Sequence, residues 1–188
     1  MFFLTSLLIK LTSFFIKTFK FGNGYTWPGH LALKVFPNIW NSQKLKFPKG
    51  IILISGTNGK TTTSALLTHL LRSEGYKVTT NASGANLLNG ILTSIFLRTN
   101  FLGEVTDDFA ILEVDEFNLP KILKHLSPDF LILTNLSRDQ LDRYGEVDTI
   151  IKRWREALAA LEEPPFLILN KKEIYFESLV FSNHLIFL

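Results

Sequence analysis

Apolar runs of strand length alternate with helical periods along most of this chain. The runs are "IILIS" (51–55), "YKVTT" (76–80), "FAILEV" (109–114), "DFLILT" (129–134) and "FLILN" (166–170). Between them the 3.6-residue recurrence of apolar positions predicts helices over 61–73, stopped by Gly75, and over 87–98, 119–125 and 147–161. In the last of these Val147, Ile150, Ile151, Trp154, Leu158 and Leu161 share one side, and "EEPP" ends it. Strands that are apolar on both faces and alternate with helices imply a parallel sheet covered on both sides. The expected fold class is therefore α/β, a mostly parallel sheet flanked by helices, with its domain over 49–188.

The pattern changes before Gly50. In "MFFLTSLLIKLTSFFIKTFK", Ser6, Lys10, Ser13, Lys17 and Lys20 fall on one stripe of a helix and Leu and Phe cover the rest. A signal peptide carries its charge ahead of its apolar core. A membrane span needs about 20 apolar residues without interruption, and Lys10 and Lys17 interrupt this one. Two readings stay open for residues 1–20: a helix packed on the domain, or a helix lying on anionic lipid at the inner face of the membrane. The segment that follows, up to residue 48, is rich in Gly, Pro and Asn and reads as a connection with little regular structure.

Composition narrows the partners. The 188 residues contain no Cys, which excludes disulfides and a thiolate zinc site and fits a reducing cytoplasm. The net charge of +3 is scattered rather than gathered into an Arg/Lys block with interleaved aromatics, so nucleic acid is not an expected ligand. A mean hydropathy of +0.19 with 17 Phe is high, and much of that apolar character lies in the first segment. His30, His69, His125 and His184 share no ligand spacing and read as structural; Trp27, Trp40 and Trp154 read as packing residues.

Ligands of parallel sheets bind beyond the carboxyl ends of the strands, and three strands deliver polar residues there. "IILI" runs into Ser55, Gly56, Thr57, Asn58, Gly59, Lys60, Thr61 and Thr62. The glycines let successive N–H groups face a polyphosphate, Lys60 neutralises charge, and Thr61 offers a hydroxyl to Mg²⁺. The usual phosphate-loop spacing would put a glycine at position 54, where Ile54 stands, so this is a shorter variant entered at Gly56. "FAIL" ends in Glu113, a carboxylate placed for Mg²⁺, with Asp115 and Glu116 close behind in what reads as a solvated turn. "DFLIL" ends in "TNLSRDQLDRYGEVD", and "TNASGANLLNG" (80–90) suggests a second wall on the substrate side.

Together "GTNGKTTT", a strand ending in Glu113 and "TNLSRDQLDRYG" resemble the central domain of the Mur ligases. Within that family "NASGAN", "RDQLDRYGEVDT" and "PGHLALKVFPNIW" look most like the MurT branch, the ligase-like subunit of lipid II isoglutaminyl synthase, over roughly residues 20–170. The resemblance implies a P-loop NTPase-like sheet and ATP with Mg²⁺. It places Gly56, Thr57, Asn58, Gly59, Lys60, Thr61 and Thr62 around the phosphates, with Lys60 and Glu113 as catalytic groups and Thr61 and Glu113 on the metal. It puts Asn135 on the nucleotide side and Asn170 near adenine. Asn81, Asn86, Arg138, Asp139, Gln140 and Asp142 fall on the substrate side, Gln140 standing where most of the family has a metal-binding His. It also implies a GatD-like glutaminase partner, a lipid II-like cell-wall substrate whose D-glutamate carboxylate is activated as an acyl phosphate for amidation, and a cytoplasmic site of action. MurT-like proteins continue into a four-Cys zinc segment and a further α/β domain, so the expectation is a central domain incomplete at its C-terminal end. Two alternatives are a non-catalytic ATP-binding module acting through a partner and a ligase of the folylpolyglutamate synthase kind.

Overall fold

The computed structural model describes residues 1–20, 24–41, 45–81, 84–136, 144–179 and 185–187, with only the backbone of 41, 144–146 and 185–187. Six parallel strands form one sheet in the order β2-β3-β1-β4-β5-β6: β1 Gly50–Ser55, β2 Val78–Thr80, β3 Phe109–Val114, β4 Phe130–Leu133, β5 Phe166–Leu169 and β6 Leu185–Phe187. The first five are the predicted apolar runs. The sixth, which is three residues long and follows a 3₁₀ turn over Ile174–Leu179, is too short to announce itself in the sequence. Helices α3 (Lys60–Ser73), α4 (Leu88–Arg98), α5 (Leu119–Leu123) and α6 (Tyr144–Ala159) lie within three residues of the predicted limits.

The strands sort their side chains by period two. Leu53, Leu112, Leu131, Leu133, Leu167 and Leu169 join the large core shared with α4, α5 and α6. Ile54 and Ile111, flanked by Ile52 and Ile132, form a smaller core with Leu67 and Leu71 of α3 on the opposite face. The same alternation carries Glu113 onto the face of Ile111, under α3. Pairing of Ser55 with both Val114 and Leu133, and of Leu133 with Leu169, brings the residues that leave β1, β3, β4 and β5 to one edge.

The segment before Gly50 is more ordered than its composition suggests. Trp27–Val35 forms a helix, α2, with Pro28 in its first turn, and Ile39–Asn41 makes a 3₁₀ turn. Gly29 permits this: a Cβ there would stand 1.9 Å from the Asn89 carbonyl oxygen, and its N–H donates to Thr93 Oγ1 at 2.8 Å. The sequence cue of a chain breaker is thus a site of close helix approach between α2 and α4. Ala32, Ile39, Trp40, Leu45 and Phe47 are buried in the large core, and Trp40 stacks on His125 at 5.9 Å between ring centroids. Trp154 is fully buried, whereas Trp27 is 72% exposed, which corrects its reading as a packing residue.

The first helix, α1 (Phe2–Thr18), packs on α2 and α4 with Ser6 and Ser13 of its polar stripe inward and Lys17 exposed. Thr5, Ser6, Ile9 and Ser13 are buried. Ser6 Oγ is 3.0 Å from Thr99 Oγ1, and Lys10 Nζ donates to the Thr99 carbonyl at 2.6 Å, a cation at the end of α4 where helix carbonyls lack donor partners. No described helix is long and apolar enough to cross a membrane.

Candidate functional site

The turn between β1 and α3 needs its two glycines for different reasons. Gly56 has φ +133° and a Cβ there would lie 2.3 Å from Thr134 Oγ1 and 2.7 Å from the Asn135 carbonyl oxygen. Gly59 has φ +84°, a Cβ there would make only ordinary contact with Thr134 Cβ at 3.9 Å, and as the N-cap of α3 it offers no side chain to the helix end. The first-turn N–H groups of α3 therefore have no acceptor within the helix and point toward the loop. That is the arrangement on which an anion is held by backbone dipoles.

Asn135 builds the loop from the neighbouring strand. Its carbonyl accepts the Thr57 N–H at 2.8 Å, its Oδ1 accepts the Asn58 N–H at 3.0 Å, and its Nδ2 donates to the Asn58 carbonyl at 3.0 Å. Thr134 Oγ1 donates to the same Asn58 carbonyl at 2.7 Å. Asn170 Nδ2 donates to the Thr134 carbonyl at 3.1 Å, so it braces this second layer from β5. Asn135 and Asn170 thus lie at the loop side of the sheet edge, with these amides engaged in holding the loop.

Lys60 folds over the loop. Its ammonium donates to the Gly56 carbonyl and, at 3.1 Å, to the Thr57 carbonyl, and lies 3.4 Å from Glu116 Oε2. Both side chains of this ion pair are 14% exposed, so Glu116 belongs to the site and is not merely solvated. Its backbone carbonyl accepts Trp154 Nε1 at 2.8 Å, which ties the turn to α6. Asp115 does serve the turn: its Oδ1 accepts the N–H groups of Phe117 and Asn118 at 3.1 and 3.2 Å ahead of α5.

Thr61 Oγ1 donates to Glu113 Oε2 at 2.8 Å. Neighbouring oxygens on an octahedral Mg²⁺ with bonds of about 2.05 Å are separated by about 2.9 Å. The hard-oxygen donor set and its spacing therefore fit that ion, and among the described residues no group of three His, Cys, Asp or Glu competes as a metal site. Glu113 is held by Asn81, whose Oδ1 accepts the Glu113 N–H at 2.8 Å and whose Nδ2 donates to the Glu113 and Ala85 carbonyls. Asn86 is close by, its carbonyl accepting the Asp115 N–H at 3.1 Å. Beside Glu113 a cleft of about 350 Å³ opens between α3 and β2, lined by Thr61, Ser64, Thr68, Arg72, Thr80 and Asn81 among others. The buried Thr68 hydroxyl makes no hydrogen bond to a described residue. Arg138, Asp139, Gln140 and Asp142 lie outside the described residues.

Residues 54–183 match the model of the Mur ligase middle domain. The chain is 35% identical over 132 residues to the MurT subunit of lipid II isoglutaminyl synthase of Staphylococcus aureus, covering 70% of this chain and 29% of that one. To the MurT subunit of Streptococcus pneumoniae it is 32% identical over 171 residues, covering 91% and 37%. It thus spans about a third of the length of these relatives. The fold is that of the MurF ligase of Thermotoga maritima solved with ADP, at TM-score 0.65 and 18% identity over 84% of this chain and 36% of that one. The phosphate loop, the Thr61–Glu113 oxygen pair and the match over two thirds of the sequence agree: this chain belongs to the Mur ligase middle-domain family.

Proposed function

We propose that this chain is the ATP-binding part of a carboxylate–amine ligase of cell-wall synthesis, of the MurT kind. The observation that carries the proposal is the Thr61–Glu113 oxygen pair at 2.8 Å beside the Lys60 loop, at the carboxyl edge of two adjacent strands. Lys60 and the N–H groups of Gly59 to Thr62 would hold the triphosphate, on a loop that Gly56, Gly59 and the Asn135 contacts to Thr57 and Asn58 shape, and Thr61 with Glu113 would hold Mg²⁺. Bound there, Mg²⁺ supplies positive charge at the phosphate oxygens. Asn81 keeps the Glu113 backbone in register, and Glu116 holds Lys60 until phosphate takes its place.

The chemistry follows from charge. A carboxylate oxygen attacks the γ-phosphorus although both groups are anionic, and the Lys60 ammonium offsets that repulsion. ADP leaves with the broken P–O bond, giving an acyl phosphate. An amine or ammonia then attacks the acyl carbon, phosphate departs, and an amide forms with loss of a proton. In the MurT reading the carboxylate is that of D-glutamate in lipid II, ammonia comes from a GatD-like glutaminase, and the reaction takes place in the cytoplasm at the inner membrane face. The cleft between Glu113 and Arg72 is the side from which the carboxylate approaches.

The test mixes the chain with a glutaminase subunit of this kind, lipid II, glutamine and MgATP, and follows ADP and amidated product together. Stoichiometric formation of both supports the ligase. MgATP binding with neither product favours the second reading, a nucleotide-binding module that acts through a partner.

A further inference from the structure

Helix α1 is mounted with its apolar side outward. Phe2, Thr5, Ser6, Ile9 and Ser13 face α2 and α4 and are buried. Phe3, Leu4, Leu7, Leu11, Phe14 and Phe15, which share the opposite side, are 43–64% exposed. Burying polar Ser and Thr while exposing Phe and Leu reverses the usual economy of an amphipathic helix, and scattered exposed hydrophobes do not account for six on one stripe. Phe101, 87% exposed, extends the patch, because Lys10 Nζ lies 5.6 Å from its ring.

Charge selects the occupant. The first 73 residues contain no Asp or Glu, and the first 59 contain seven Lys. Around the helix Lys10 and Lys17 fall at the boundary between the buried and exposed sides; Lys10 is held by the Thr99 carbonyl, while at the position of Lys17 a long side chain reaches past an apolar surface to anionic groups. A second copy of the chain would bring these lysines together with no carboxylate from either segment to pair them. A 17-residue helix roughly 25 Å long, too short and too charged to cross a bilayer, instead lies along one.

We propose that the outer face of α1, with Phe101 at its edge, docks in the plane of an anionic lipid bilayer, Phe and Leu entering the acyl boundary while Lys17 and Lys20 meet headgroup phosphates. The proposal is independent of nucleotide binding.

Flotation of the full chain with vesicles of phosphatidylcholine alone, or with about 30% phosphatidylglycerol, tests it. The chain is expected to float with the anionic vesicles and to be released on the order of tenfold by high salt. Leu7→Glu with Phe14→Glu, both at exposed positions, is expected to abolish flotation while circular dichroism and Tm stay unchanged. Lys17→Glu with Lys20→Glu is expected to remove the preference for anionic lipid. Failure of the parent chain to float, flotation unaffected by the Glu pair, or a dimer that the Glu pair dissociates without any lipid binding would each overturn the proposal.

Discussion

The Lys60 ammonium and the Glu116 carboxylate form an ion pair at 3.4 Å, across the mouth of the loop that Lys60 itself closes. Glu116 is therefore a competitor for the charge that phosphate must claim. Glu116→Gln keeps the side chain's shape and removes the competing charge, so affinity for MgATP is expected to rise by about two- to fivefold, the worth of a modest ion pair. Calorimetric titration measures it. Weaker binding in the variant would show that Glu116 helps hold the nucleotide instead.

The Thr61 and Glu113 oxygens are expected to act together on the metal. Glu113→Gln should lower affinity for MgATP by about tenfold or more, while binding of ATP in excess chelator changes little. Thr61→Val should do the same. An equal loss with and without Mg²⁺ would move these residues from the metal to the fold.

The two loop glycines separate by what surrounds them. Gly56→Ala drives a Cβ to within 2.3 Å of Thr134 Oγ1 at a φ of +133°, and is expected to cost more than about 2 kcal/mol. Gly59→Ala makes only ordinary contact with Thr134, at 3.9 Å, and bears the left-handed backbone cost, about 1 kcal/mol. Chemical denaturation of the two variants gives the order directly, and a larger cost at Gly59 would contradict the loop geometry.

His125 sets a pH dependence of stability. Burial against Trp40, and then Lys121 and Lys124 nearby, lower its pKa below the ordinary histidine value. The unfolded chain therefore binds the proton more readily. The contribution is complete above about pH 6.5 and declines as the pH falls below that value toward the lower folded pKa. Tm is expected to fall over this window, and His125→Gln to flatten that part of the profile. An identical slope in the variant would assign the effect to other groups.

The sheet was legible because parallel strands buried on both faces leave continuous apolar runs, and the phosphate loop because glycine, lysine and threonine spacing is local. What escaped depended on contacts distant in sequence. Gly29 looks like a breaker until Asn89 is seen at its shoulder. The Ser6 side of α1 looks like a solvent face until Thr99 pairs with it. Glu116 reads as a surface carboxylate, since nothing within its own segment reveals that Lys60, 56 positions earlier, folds across to it. Asn135 and Asn170 stood out as polar residues at strand ends, but only the strand register shows that one clamps the loop and the other braces the clamp.

Calorimetric titration of the chain and of Lys60→Ala with MgATP tests the central claim most directly. The parent is expected to bind with one-to-one stoichiometry, and Lys60→Ala, with its circular dichroism retained, to lose at least about a hundredfold in affinity, as expected for removing a charge-assisted phosphate contact. MgATP affinity retained in Lys60→Ala would contradict the assignment of this loop as the nucleotide site.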